Sequence, residues 1–114
     1  MSTATAPTAW SPSNRPPSWI PRRGHPLTGP AIRQATLLVL LATRRTMTVP
    51  QIHRLLCNRG SPVASTDPHE AIRRGLAIEV ARGRARRQGR GRYEAGVVPS
   101  SSRYLLADRF PWLA

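Results

Sequence analysis

Apolar residues return at helical spacing in three separate stretches of this chain. In residues 30–43 the principal stripe is Ile32, Ala35, Leu38, Val39 and Ala42. Residues 37–42 are apolar almost all round, which predicts a helix buried against several neighbours, the core helix. Arg44 and Arg45 follow at its C-terminal end, where cations suit the helix dipole. Residues 46–49 are short and mostly β-branched, and are expected to pair as a third strand at the base of a later hairpin. Thr48-Val49-Pro50-Gln51 has the order of a capping box and opens a second helix. Ile52, Leu55 and Leu56 form its inward face, and Asn58-Arg59-Gly60 ends it. Residues 61–66 then make a turn, with Val63 as its apolar plug.

The third periodic stretch starts at Asp67. Its carboxylate is placed to accept the backbone N–H three residues on, Pro68 sits where a missing N–H costs nothing, and Glu70 completes a second capping box. Ile72, Leu76 and Val80 recur every fourth residue and predict a buried stripe over a helix spanning 68–82. Gly75 inside it costs about 1 kcal/mol relative to alanine. Gly83 is the expected stop, since glycine turns left-handed there at little cost. A hairpin over 84–95 follows: 85–88 outward, Gly89-Arg90-Gly91 turning, 92–95 returning. Beyond it, Ser100, Ser101 and Ser102 are expected to cap a short helix running through Arg109. Tyr104, Leu105 and Phe110 would pack back on the domain or against a partner. Phe110-Pro111-Trp112-Leu113 reads as a lid on the core in preference to a dimer contact.

Three segments result: a disordered Pro/Ser/Thr-rich arm over 1–29, a folded unit over 30–96, and a short helix with an apolar tail over 97–114. The arm has prolines at 7, 12, 16, 17, 21 and 26 and too little apolar surface to offset its ordering entropy. Trp10, Trp19 and Ile20 stand out in it. They are expected to tuck loosely or sit in solvent, with a partner anchor as the sharper alternative.

Charge changes the picture most. The 114 residues carry a net charge of +13 from 18 basic residues, every one an arginine, against 5 acids. That imbalance calls for an anionic partner, nucleic acid first. Guanidinium also binds phosphate and guanine edges bidentately, as an ammonium cannot. Cys57 is the single cysteine, so no intrachain disulfide forms and a reducing interior is the default. The longest apolar run is far shorter than a membrane span, and the N-terminus lacks the order of a secretory signal. A cytoplasmic, nucleoid-associated protein is the expectation.

Helix, short strand, helix, turn, helix and glycine-tipped hairpin make an α+β, mainly α, order. Residues 68–96 carry Arg82-Gly83 at a helix end, a strand over 84–88, Gly89-Arg90-Gly91 and Arg92-Tyr93. In this the chain resembles small bacterial, actinobacterial-like, winged helix-turn-helix DNA-binding proteins, over roughly residues 30–96. Ala85 and Gln88 depart from the pattern, standing where such modules usually carry valine or isoleucine. The resemblance implies a three-helix core plus a small antiparallel β-hairpin wing. It also implies double-stranded DNA as the partner, the third helix in the major groove and the wing on backbone or minor groove.

The residues argue for the same partner. With Ile72, Leu76 and Val80 inward, the third helix presents His69, Glu70, Arg73, Arg74 and Ala77, with Thr66 and Asp67 at the end entering the groove. Thr66, Asp67, His69, Arg73, Arg74 and Ala77 are thus the candidate recognition residues. Arg84, Arg86, Arg87, Arg90 and Arg92 are the candidate wing contacts. Six arginines fall within positions 82–92 with no acid among them, a repulsion that phosphate would relieve. Pro21-Arg22-Arg23-Gly24-His25-Pro26 resembles an arginine-glycine minor-groove hook, with His25 where a second arginine usually stands.

Other chemistry finds little support. His53, Cys57 and His69 are the nearest approach to a metal set, without the paired-cysteine spacing of structural zinc, and no metal or cofactor is expected. There is no phosphate-binding loop, carboxylate pair or serine–histidine order, so no catalysis is expected. Two rival roles remain. One is an adaptor binding a polymerase subunit or a toxin through the arm or through Tyr104, Leu105, Phe110 and Trp112, or a homodimer through the same residues. The other is binding of structured RNA or a ribosome.

Overall fold

Leu37, Leu38, Val39 and Leu40 are all buried, four successive positions that one helix can hide only where neighbours cover it on several sides. The computed structural model describes residues 22–114, and their fold is built round that helix. The order is α1 (Pro30–Thr43), β1 (Met47–Thr48), α2 (Val49–Asn58), α3 (Pro68–Ala81), β2 (Ala85–Arg87), β3 (Arg92–Ala95) and α4 (Ser100–Arg109). It is an α+β, mainly helical domain with a three-stranded antiparallel sheet in the order β1-β3-β2.

Local chemistry sets most boundaries. At α2 the capping box is complete: Thr48 Oγ1 accepts the Gln51 N–H at 3.3 Å, and the Thr48 N–H donates to Gln51 Oε1 at 2.9 Å. At α3 only half of the expected box forms. Asp67 Oδ1 accepts the Glu70 N–H at 3.2 Å, but the Asp67 N–H goes to Ser65 Oγ, and Glu70 turns to arginines instead. Gly83 ends α3 at φ 75°, where a Cβ would strain the backbone. Its N–H reaches Val80 O at 3.0 Å and the Arg84 N–H reaches Glu79 O at 2.9 Å, the two bonds of a Schellman motif.

The expected third strand is present. Met47 and Thr48 pair with Tyr93 and Arg92, while Ala85, Arg86 and Arg87 pair with Ala95, Glu94 and Tyr93. Met47, Ala85 and Tyr93 turn one face of this small sheet into the core. Ala85, one of the departures from the usual pattern, is buried, and so close an approach suits a methyl group. Gly75 has a role beyond weakening α3. A Cβ there would lie 3.1 Å from the Arg33 Cα, so glycine lets α1 and α3 approach backbone to backbone.

Several expectations need correction. The folded unit begins before residue 30. Leu27 is buried beside Val63, its N–H donates to Pro62 O at 2.7 Å, and its carbonyl accepts the Ala64 N–H at 2.9 Å. Leu27 against the turn's plug and the Gly24 N–H on Gly60 O dock this segment, and composition alone hid both. Trp10, Trp19 and Ile20 lie outside the described residues. At α4 the N-cap is Pro99, with no side-chain cap, so the serines sit inside the first turn. Tyr104 and Leu105 stay in solvent, 80% and 67% exposed. Phe110 and Leu113 are fully buried and Trp112 donates its indole N–H to Ser61 Oγ at 2.6 Å. The tail is therefore a lid on the core, and Phe110 is not available to a partner.

Candidate nucleic-acid interface

The outward face of α3 follows from its inward one. Ile72, Gly75, Leu76 and Glu79 are buried, which turns Arg73, Arg74 and Ala77 to solvent. Val80, expected in the buried stripe, is only half-buried, and Glu79 takes the inward position beside it. Glu70 holds both arginines, lying 3.1 Å from Arg73 Nε and 3.3 Å from Arg74 Nε. Exposed pairs of this kind contribute about 0–1 kcal/mol, so Arg73 and Arg74 are only weakly held. The tail leaves this face open, because it closes against the end of α2 through Ser61 and Arg59.

The hairpin arginines divide into two kinds. Arg86, Arg87, Arg90 and Arg92 are exposed. Arg86 lies 3.6 Å from Glu94, its opposite number on β3, which also accepts a bond from the Gln88 amide. Arg87 Nε donates to Gly89 O at 3.2 Å, across the turn. Arg84 is different. Its side chain is 27% exposed, its Nη2 donates to Glu79 Oε2 at 2.9 Å, and its Nε lies 2.5 Å from Glu79 Oε1. Arg33 of α1, 19% exposed, donates to the same Oε2 at 3.1 Å. Glu79, only 1% exposed, is thus clamped between two guanidinium groups. Arg84 is a structural ligand of that carboxylate, unlike the exposed arginines of the hairpin.

The remaining candidates are scattered round this surface. Thr66 and Asp67 are exposed in the turn before α3, and Asp67 spends an oxygen on capping. His69 is half-buried with its ring edge-on to His53, centroids 5.0 Å apart. His53 Nε2 lies 3.4 Å from Cys57 Sγ, so the three residues weighed as a metal set are neighbours. Among the described residues, no group of three such side chains has an arrangement that could hold a metal ion. Arg22 and Arg23 are exposed, but their segment is a turn folded onto α2's end. The His25 N–H meets Arg22 O and the Gly24 N–H meets Gly60 O at 2.7 Å, so the hook is a docked turn, not a free arm.

No protein-family model matches this chain, and comparison with curated proteins and with solved structures finds no match. The geometry therefore carries the functional argument alone. It adds what the sequence does not announce: Glu79, Arg33 and the packing role of Gly75. Glu79 left a trace, since it stands three residues after Leu76 and seven after Ile72, inside the apolar stripe. Arg33 left none, and Gly75 showed only as a costly helix glycine, because their meeting is a contact between helices distant in the chain. Among the described residues, no helix is long and apolar enough to cross a membrane.

Proposed function

We propose that this domain is a winged helix that binds double-stranded DNA, with α3 in the major groove and the β2–β3 hairpin over adjacent backbone or minor groove. It acts as a small transcription regulator or nucleoid-type protein. The observation that carries the reading is how the acids are disposed. Glu79 is buried, Glu70 and Glu94 are spent on neighbouring arginines, and Asp67 caps α3. Arg82, Arg86, Arg87, Arg90 and Arg92 remain exposed across the end of α3 and the hairpin that follows it. A cationic strip with its acids neutralised suits a line of phosphates. Ala77 and Ala81, small and exposed on α3, let the helix backbone approach the groove floor between Arg73 and Arg74.

The test is a gel shift against random genomic fragments over a salt series, followed by sequencing of the retained DNA. Affinity that falls steeply with salt, with enriched sequences among the retained fragments, supports the reading. A flat salt response sinks it. Structured RNA competing as well as duplex DNA would turn the reading to RNA. The adaptor role keeps one observation in its favour, the exposure of Tyr104 on α4. Under that role Tyr104→Ser abolishes partner capture and leaves DNA binding intact.

A further inference from the structure

A cavity of about 270 Å³ opens between α1, α3, the start of β2 and α4. It has two unlike sides. One carries Arg33, Arg84 and Arg109 with the buried Glu79, and the other carries Leu37, Leu105 and Leu106. Three guanidinium groups face one carboxylate, so the lining holds a surplus of positive charge. Each guanidinium also carries a fork of donors and no acceptor. Arg33 and Arg84 spend donors on Glu79, and Arg109 Nη1 donates to Gln34 Oε1 at 2.7 Å. These bonds occupy only part of each fork. Glu79 Oε1 and Arg84 Nε, both buried, are ionic partners at 2.5 Å, so both oxygens of that carboxylate are answered within the protein and the positive surplus of the lining is not. Leu105 is the unexplained feature, a large apolar side chain 67% exposed at the rim.

We propose that this cavity binds a small organic anion, a carboxylate carried on a short aliphatic or aromatic body. The carboxylate, an acceptor-only group, takes spare donors of Arg109, Arg84 and Arg33. The body lies on Leu37, Leu106 and Leu105, which gives the exposed leucine its reason. Each alternative chemistry meets an obstacle in the lining. A cation meets three guanidinium groups, a neutral alcohol or amide leaves the donor surplus unanswered, and a bare phosphate leaves the leucine wall uncovered. The size falls just under the usual range for ligand pockets, about 300–1,000 Å³, which restricts the body to a few carbons or one ring.

The experiment titrates hexanoate and benzoate into the full chain without nucleic acid, so its outcome is independent of the DNA reading. Methyl NMR follows Leu37, Leu105 and Leu106, and thermal melting follows stability. Saturable methyl shifts and a raised Tm with either carboxylate are expected, with no such shifts from hexanol, benzamide or inorganic phosphate. Arg109→Gln and Leu105→Glu alter exposed positions, and far-UV circular dichroism checks that each folds. Each is expected to weaken binding about tenfold, the usual weight of one charge-assisted bond or of a charge placed against the body. Carboxylates that leave these methyl groups unmoved at millimolar concentration would overturn the proposal. So would equal shifts from inorganic phosphate or the neutral analogues, or wild-type affinity in both variants.

Discussion

Replacing Arg84 and replacing Arg90 should have opposite signatures, although both residues lie in the same basic run. Arg86, Arg87, Arg90 and Arg92 are exposed, Arg86 and Arg87 in surface contacts with Glu94 and Gly89 O that a phosphate could replace. If each neutralises one phosphate, the four contribute about −3.6 to the slope of log K against log salt, at roughly 0.9 per contact. Between about 50 and 200 mM salt that is a loss of roughly 150-fold in affinity. Arg73 and Arg74 would carry the slope to about −5.4 if they too sit on phosphates and not on bases. Arg90→Ala should therefore flatten the slope by about 0.9 and weaken all sequences alike. Its fold should melt as the wild type does, because among the described residues that side chain makes no hydrogen bond or ion pair.

Arg84→Gln should do the reverse. Its guanidinium is one of two that neutralise Glu79, so its loss leaves a buried carboxylate half paired. Breaking a fully buried pair costs about 3–5 kcal/mol. Here Arg33 remains and both guanidinium groups are partly hydrated, so a loss of about 1–3 kcal/mol is expected. Urea unfolding measures that loss, and fluorescence anisotropy at five salt concentrations measures the slope, which should not change. A slope reduced as much as in Arg90→Ala, with an unchanged melt, would refute the clamp and return Arg84 to the binding surface.

Other substitutions test the frame. Gly96→Ala would set a Cβ 2.5 Å from Gly83 O at the base of the hairpin. A loss of about 1–3 kcal/mol in urea unfolding is expected, and a melt like the wild type's would show that the hairpin base is looser than described. Phe110→Ala should cost about 3–5 kcal/mol, since its ring is wholly enclosed, and a near-neutral result would detach the tail from the core. Arg73→Ala and Arg74→Ala should relax sequence preference, read by sequencing the selected DNA. Variants that weaken every sequence equally would move both residues to the backbone.

What was legible in the chain was local. The Thr48–Gln51 box, the Asp67 cap, the Gly83 stop and the glycine-tipped hairpin each depend on residues within a few positions of one another, and each stands where expected. Contacts across the chain were not legible. Leu27 meets Val63, Arg33 meets Glu79 and Trp112 meets Ser61, and no periodicity announces any of these pairings. The same holds at Arg84. An arginine in a basic run looks like its neighbours until the acid that claims it, folded inward on the preceding helix, is located. Glu70 repeats the lesson on a smaller scale: three residues after Asp67 it has capping spacing, but two nearby guanidinium groups compete for the carboxylate and win.

If the proposed function holds, the junction between α3 and the hairpin decides whether two short elements can read one duplex. A two-stranded hairpin has too little core to fix its own position. Here the fixing is done by Gly83 and Arg84. Their N–H groups close α3, their carbonyls accept the Val97 and Gly96 N–H groups, and the Arg84 side chain binds Glu79. The incoming and outgoing chains are tied to the last turn of α3 at one place. An interface held in register before binding escapes the ordering cost that a loose hairpin would incur, about 1–2 kcal/mol per residue. Glu79→Gln keeps the shape and removes the charge, so the hairpin should loosen relative to the helix without losing any exposed arginine. Discrimination between selected and random DNA should then fall several-fold while the salt slope holds. Discrimination that survives in a variant whose hairpin amides exchange faster would show that sequence is read by α3 alone.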